Sequence, residues 1–161
     1  MGLTNSENSL VWSDMLLLGY GPMDGTHREF VEVVSALQAA ADHELAQRLD
    51  AVLDHLDRHF SEEASWMRET GYPAAECHVD EHGAVQASGR DVRQALASGN
   101  TELCRRFADE LAKWFPGHAD YLDAPLAQWL SKKRLGAIPV VIKRGASQTQ
   151  SAQARDPLGR A

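Results

Sequence analysis

HFSEEASWMRETGYPAAECHVDEH (59–82) holds three of the seven histidines in the chain. His59 is followed four residues later by Glu63, and His78 by His82, with Gly71-Tyr72-Pro73 between the two pairs. On an α-helix, residues four apart lie about 40° apart around the axis and about 6 Å along it, so each pair can aim at one point. Glycine followed by proline stops one helix and lets another begin. The stretch therefore predicts a helical hairpin in which each arm carries a chelating pair.

The same spacing extends outward on both sides. Upstream, Leu45, Leu49, Val52 and Leu56 lead into His59, Glu63 and Trp66 by alternating steps of four and three, which predicts a helix from about Asp42 to Thr70. Downstream, a helix starting near Ala74 carries His78, His82, Val85, Gly89, Val92 and Leu96 on one face and ends at Ser98-Gly99-Asn100. A preceding helix, capped by Asp24 or Thr26, carries His27, Phe30, Val34, Leu37 and Ala41. A last one, with Thr101 as its cap, carries Cys104, Phe107, Leu111, Trp114 and His118 and continues into Leu122. Pro116 and Gly117 predict a kink or restart just before His118, with helix resuming through Ala124 to Lys133.

Short links force successive helices to run antiparallel. The expected fold is all-α: an antiparallel up-down-up-down four-helix bundle over residues 24–134. An extended N-terminal arm (1–23) precedes it and a flexible C-terminal tail (135–161) follows. Within that tail LGAIPVVIKR (135–144) reads as a short strand or docking segment, and the remainder as disordered.

Composition narrows the function. A net charge of −7 over 161 residues argues against a general nucleic-acid binder, since a polyanion meets repulsion over most of the surface. No apolar run is long enough for a membrane span, and MGLTNSENSL lacks the basic and apolar parts of a signal peptide. Gly2 and Ser6 satisfy an acylation pattern too short to carry an argument. Cys77 and Cys104 are too few for a disulfide scaffold, and both are expected as buried thiols in a reducing cytoplasm.

The histidines occupy the wrong place for ordinary surface residues. His27, His59, Glu63, His78, His82 and His118 all fall where the periodicity puts the core. One histidine on an apolar face is ordinarily a satisfied core residue; five on four helices, with a glutamate among them, point to bound cations, because an unpaired buried carboxylate would protonate instead. His43 lies off the inward face and His55 beside it, as solvated or supporting residues. A second carboxylate is needed to balance two cations. Asp123 and Asp120 compete for that role, and neither is favoured by spacing, because five residues on a regular helix turn through about 140°.

His27 in MDGTHREF, His59 and Glu63 in HFSEEASWM, His78 and His82 in CHVDEH, and His118 and Asp123 in HADYLD together resemble the hemerythrin family in its bacterial form, from Val11-Trp12 to about Lys133. The resemblance implies a non-haem di-iron centre that binds O2 reversibly, as a carrier, store or supplier of oxygen. It implies that His78, His82 and His118 hold one iron and His27 and His59 the other. Glu63, Asp123 and an oxo or hydroxo group would bridge them, which selects Asp123 over Asp120. Two roughly octahedral ions then keep one open position, on the iron with two histidines. Met67, Trp114 and Phe115 are expected to wall the O2 pocket, and Trp12 and Trp66 to serve packing. Two other readings remain at this point. One is an oxygen or redox sensor acting through the basic residues Lys132, Lys133, Arg134, Lys143 and Arg144; the other is a di-iron oxidase, peroxidase or nitric oxide-handling enzyme, with Tyr121 as a possible donor.

Overall fold

The structure, a computed structural model, describes residues 9–135. Four long helices form the bundle: α1 (Gly21–Gln38), α2 (Leu45–Thr70), α3 (Ala75–Ala97) and α4 (Thr101–His118). A π-helical turn, Ala119–Asp123, leads into α5 (Ala124–Leu130), and a second, Ser131–Leu135, follows it. α1 packs on α2 and α4, and α3 packs on the same two helices, which closes the antiparallel ring. The acylation pattern at Gly2 and Ser6, the basic residues Lys143 and Arg144, and all of the 135–144 segment beyond Leu135 lie outside the described residues.

The two sharp links use the same device. Gly71 (φ 63°) and Gly99 (φ 92°) adopt the left-handed conformation that side chains resist. Tyr72 N–H reaches Met67 O at 2.9 Å, and Asn100 N–H reaches Ala95 O at 3.0 Å, closing the last carbonyls of α2 and α3. The α1–α2 link has no such glycine. There the helix stops at Gln38, and Glu44 Oε2 accepts the Ala41 N–H at 3.0 Å. The register of α1 is lost at that stop, so Ala40 is buried and Ala41, expected on the inward face, is exposed.

Three other expectations change. Helix α1 starts at Gly21, before Asp24, whose buried carboxylate instead accepts Leu18 N–H (2.7 Å) and Gly19 N–H (3.0 Å) and pins the arm to the helix. The cap of α4 is Asn100 rather than Thr101, because its Oδ1 accepts Leu103 N–H at 3.0 Å. Pro116 sits inside a continuous α4, and the irregularity comes after His118. One helical hydrogen bond is lost at the proline nitrogen, and the helix continues through it.

Burial along the helices is layered. Phe30, Leu49, Val52, Leu56, Phe107, Leu111 and Phe115 belong to the larger apolar cluster. Leu18, Tyr20, Met23, Trp66, Met67, Leu126 and Leu130 form the smaller one. Between them on each helix comes a polar residue: His27 between Met23 and Phe30, and Glu63 between Phe60 and Trp66. The arm returns along α1, with Leu10 N–H donating to Gln38 Oε1 at 2.9 Å and the Arg28 guanidinium over the Trp12 ring at 4.7 Å. Asn100→Ala should lower stability by about 1 kcal/mol in chemical denaturation, whereas Thr101→Ala should stay within a few tenths.

Candidate metal centre

Seven ionisable side chains meet in the polar layer, each nearly or fully buried: His27, His59, Glu63, His78, His82, His118 and Asp123. Helix α1 supplies the first, α2 the next two and α3 the pair at 78 and 82. His118 closes α4 and Asp123 closes the π-helical turn. That turn explains the five-residue spacing. Ala124 N–H bonds to Ala119 O, five residues back. The wider winding turns each residue through less than 100°, and Asp123 Oδ1 comes to 3.1 Å from His118 Nε2. Asp120 is exposed.

The two carboxylates divide their oxygens. Glu63 Oε1 faces His59 Nε2 (2.9 Å) and His27 Nε2 (3.7 Å), while Oε2 faces His78 Nε2 (3.2 Å) and His82 Nε2 (3.5 Å). Asp123 Oδ2 faces His27 Nε2 (3.1 Å), while Oδ1 faces His78 Nε2 (3.0 Å) and His118 Nε2. Two overlapping donor groups result, one of His27, His59 and Glu63, the other of Glu63, His78, His82, His118 and Asp123. Despite these short distances, His27 Nε2, His78 Nε2, Glu63 Oε2 and both Asp123 oxygens lack hydrogen-bond geometry. They converge on shared points rather than pairing with one another. His82 Nε2 and His118 Nε2 stand 3.0 Å apart in a hydrogen bond that also brings both atoms to the cluster. Imidazole nitrogens and carboxylate oxygens in this number suit borderline transition-metal cations, so the residues fit a pair of such ions.

Electrostatics tell the same story for the metal-free protein. Burial opposes the His27 imidazolium, but Asp123 and Glu63 outweigh it and raise its pKa to about 9. His78 follows suit: burial opposes its charge, Asp123 and Glu63 favour it, and the pKa rises to about 9. Burial and the neighbouring Asp123 act to raise the Glu63 carboxyl, yet His27, His59 and His78 hold it below the carboxylate range. Burial also opposes the Asp123 carboxylate, which His118, His27 and His78 keep ionised. His82 is pushed down to about 3, chiefly by burial, and is neutral. Two protonated imidazoles thus balance two carboxylates where two cations would.

Around this cluster the aromatic rings close in. Phe115 meets His27 edge-on (5.1 Å between centroids), Phe30 lies 4.4 Å from Phe115, and Trp114 lies 4.3 Å from His118. Met67 is fully buried in the smaller apolar cluster. Two further wall residues were not assigned that role by the sequence, Phe60 being unnamed and Phe30 read only as part of the inward face. Phe60 stacks flat on His82 at 3.8 Å, and Phe30 packs beside His59. Their only sequence signal was position, one residue after His59 and three after His27. Glu81 was also missed: its Oε1 accepts from Trp114 Nε1 (2.8 Å) and His118 Nδ1 (3.0 Å). Those two donors hold the Glu81 carboxyl below its usual pKa against the modest upward push of burial.

The two histidines placed outside the cluster, His43 and His55, differ from one another. His43 is exposed, and His55 is buried with neither ring nitrogen hydrogen-bonded, its Nδ1 lying 3.7 Å from Glu29 Oε2. Burial, then His59 and Arg58, push His55 down to about 3, so it is a neutral packing residue against Phe30 and His59. Cys104 is buried as expected, but Cys77 is exposed, because the face of α3 that carries His78 inward turns residue 77 to solvent. Trp66 packs edge-on against Tyr20 at 5.7 Å, in the packing role expected of it.

Proton balance gives a test of sign. His27 and His78 have folded-state pKa values of about 9, above the unfolded value of about 6.5. Their stabilising contribution is complete below about 6.5 and is lost as pH rises through 9. Cation binding needs neutral imidazoles and so strengthens with pH. Melting curves with chelator should therefore show Tm falling from pH 6.5 to 9, while the extra stability conferred by a divalent cation grows over the same interval.

Residues 18–130 match the family description Hemerythrin HHE cation binding domain. A bacteriohemerythrin of Ralstonia nicotianae is 36% identical over 122 residues, covering 76% of this chain and 89% of the relative. A bacteriohemerythrin of Stenotrophomonas maltophilia is 26% identical over 139 residues, 79% of this chain and 90% of the relative. No solved structure matches. With the family pattern covering most of its length and laid over the buried imidazole–carboxylate layer, the chain belongs to the hemerythrin family.

Proposed function

We propose that this protein holds two iron ions in its polar layer and takes up dioxygen reversibly there, as an oxygen carrier, store or supplier. The observation that supports this best is the division of the carboxylates, each with one oxygen toward the two-histidine group and one toward the three-histidine group. In this reading His78, His82 and His118 hold one ion, and His27 and His59 the other. Glu63 and Asp123 would be shared between the two, with a solvent-derived oxo or hydroxo group expected beside them. Iron held there in the ferrous state would supply the electrons that dioxygen uptake requires.

The remaining contributions come from the side chains. His82, neutral at physiological pH, offers a lone pair without first losing a proton. Phe30, Phe60, Phe115 and Trp114 crowd the imidazoles with apolar surface, and Met67 is buried one turn beyond Glu63. A wall of this kind excludes water and slows proton delivery, which favours release of dioxygen unchanged. Five imidazoles against two carboxylates point the same way, since oxygen-activating di-iron sites in bundles are richer in carboxylate. Tyr121, exposed at 81%, is turned away as a donor.

Of the basic residues considered for signalling, Arg134 is engaged by Glu69 (3.1 Å) and the Tyr20 hydroxyl (3.3 Å), and Lys133 lies over the Trp129 ring. Among the described residues no helix is long and apolar enough to cross a membrane. Two free thiols suit a reducing compartment, and we place the protein in the cytoplasm.

Metal analysis of protein made with iron supplied should give two irons per chain and a charge-transfer band that appears in air and vanishes under vacuum through repeated cycles. Irreversible bleaching with substrate turnover would favour an enzyme, and one zinc per chain would refute the di-iron reading. Glu63→Ala should lose iron from both positions. His43→Ala should leave the spectrum unchanged.

A further inference from the structure

One ring nitrogen in the polar layer is treated differently from its counterparts. The Nδ1 atoms of His27, His59, His78 and His82 are buried without a hydrogen-bond partner. That of His118 lies 3.0 Å from Glu81 Oε1. An ionised carboxylate only accepts, so the His118 Nδ1 that faces Glu81 carries a proton, which leaves Nε2 as the atom that would ligate a bound cation. Nε2 is the atom 3.1 Å from Asp123 Oδ1 and 3.0 Å from His82 Nε2.

The same Glu81 oxygen accepts the indole N–H of Trp114 at 2.8 Å, and the indole ring lies 4.3 Å from the His118 ring. Glu81 therefore fixes both the imidazole and the plate it rests on. Its side chain is 40% exposed at the edge of a groove of about 740 Å³ between α3 and α4. A carboxylate so open to water contributes little as an inter-helix staple. Its value lies in the atom it touches.

We propose that Glu81 is a positioning residue, holding His118 in the tautomer whose Nε2 faces the His78–His82–Asp123 group, and so strengthening the three-histidine cation position over the two-histidine one. This rests on the two-cation reading above. Partners of this kind fix the orientation of a ligating imidazole and raise its basicity, and their loss typically weakens metal affinity about 10–100-fold. The four imidazoles without a partner gain no such support, so the two positions are unequal by construction.

The test is titration of the full chain with Co(II) against a competing chelator, alongside imidazole 15N spectra with Zn(II) added. Wild type should take two ions and show His118 protonated at Nδ1. Glu81→Ala should weaken one ion about 10–100-fold, leave the other within about threefold, and lose the slowly exchanging His118 Nδ1 proton. Glu81→Gln keeps an acceptor oxygen and should recover most of the affinity. Glu81→Lys, which offers no acceptor, should lose at least as much as alanine, and it keeps the test open if the alanine variant fails to fold. Glu110→Ala, on the same groove but paired with Lys113, should change neither ion. Equal weakening of both ions, no weakening of either, or a Glu110→Ala effect matching that of Glu81→Ala overturns the proposal alone. A wild type that takes fewer than two ions overturns the two-cation reading and this inference with it.

Discussion

Two buried carboxylates, each shared between separate sets of imidazoles, are the constraint that the bundle is arranged to satisfy. Glu63 and Asp123 are almost fully enclosed, and an isolated charge there would cost several kcal/mol. Neither can stay ionised without positive charge close to both of its oxygens. That requirement draws histidines from all four helices to one level, and it fixes how far each helix slides along its neighbours. Shifting α1 by a single residue would turn His27 away through about 100° and leave Glu63 and Asp123 without its imidazole.

The local chemistry of the chain delivers that alignment. The closures at Gly71 and Gly99 set where α2 and α3 end, and so set the levels of Glu63 and His78 relative to one another. Asn100 starts α4 at a defined residue, from which His118 lies five turns on. The π-helical turn then supplies the extra winding that Asp123 needs. π-turns are rare and recur at functional sites, because the inserted residue is tolerated only where it aims a side chain usefully.

Much of this was legible in the sequence, for a physical reason. Steps of three and four residues report the inward face directly, so six of the seven clustered side chains could be assigned from periodicity. Asp123 could not, since regular helical geometry denies it a shared face with His118, and only the resemblance selected it. Phe60 and Glu81 were hidden for a different reason. Each lies one residue off the inward face, and its role depends on which neighbouring helix it meets, which spacing within one helix does not encode. Cys77 and Ala41 show the converse error, where a small apolar residue in or beside a helix was assigned to the interior without a contact to hold it there.

The layered burial has a consequence for how the molecule opens. Apolar packing holds the helices together above and below the polar layer, while at that level the faces meet through charged groups and the rings stacked on them. That layer is the section of the bundle with the most solvent-seeking groups. Fluctuations there can part the helices locally while both greasy ends stay shut. A local parting of this kind would open the polar layer without unfolding the chain.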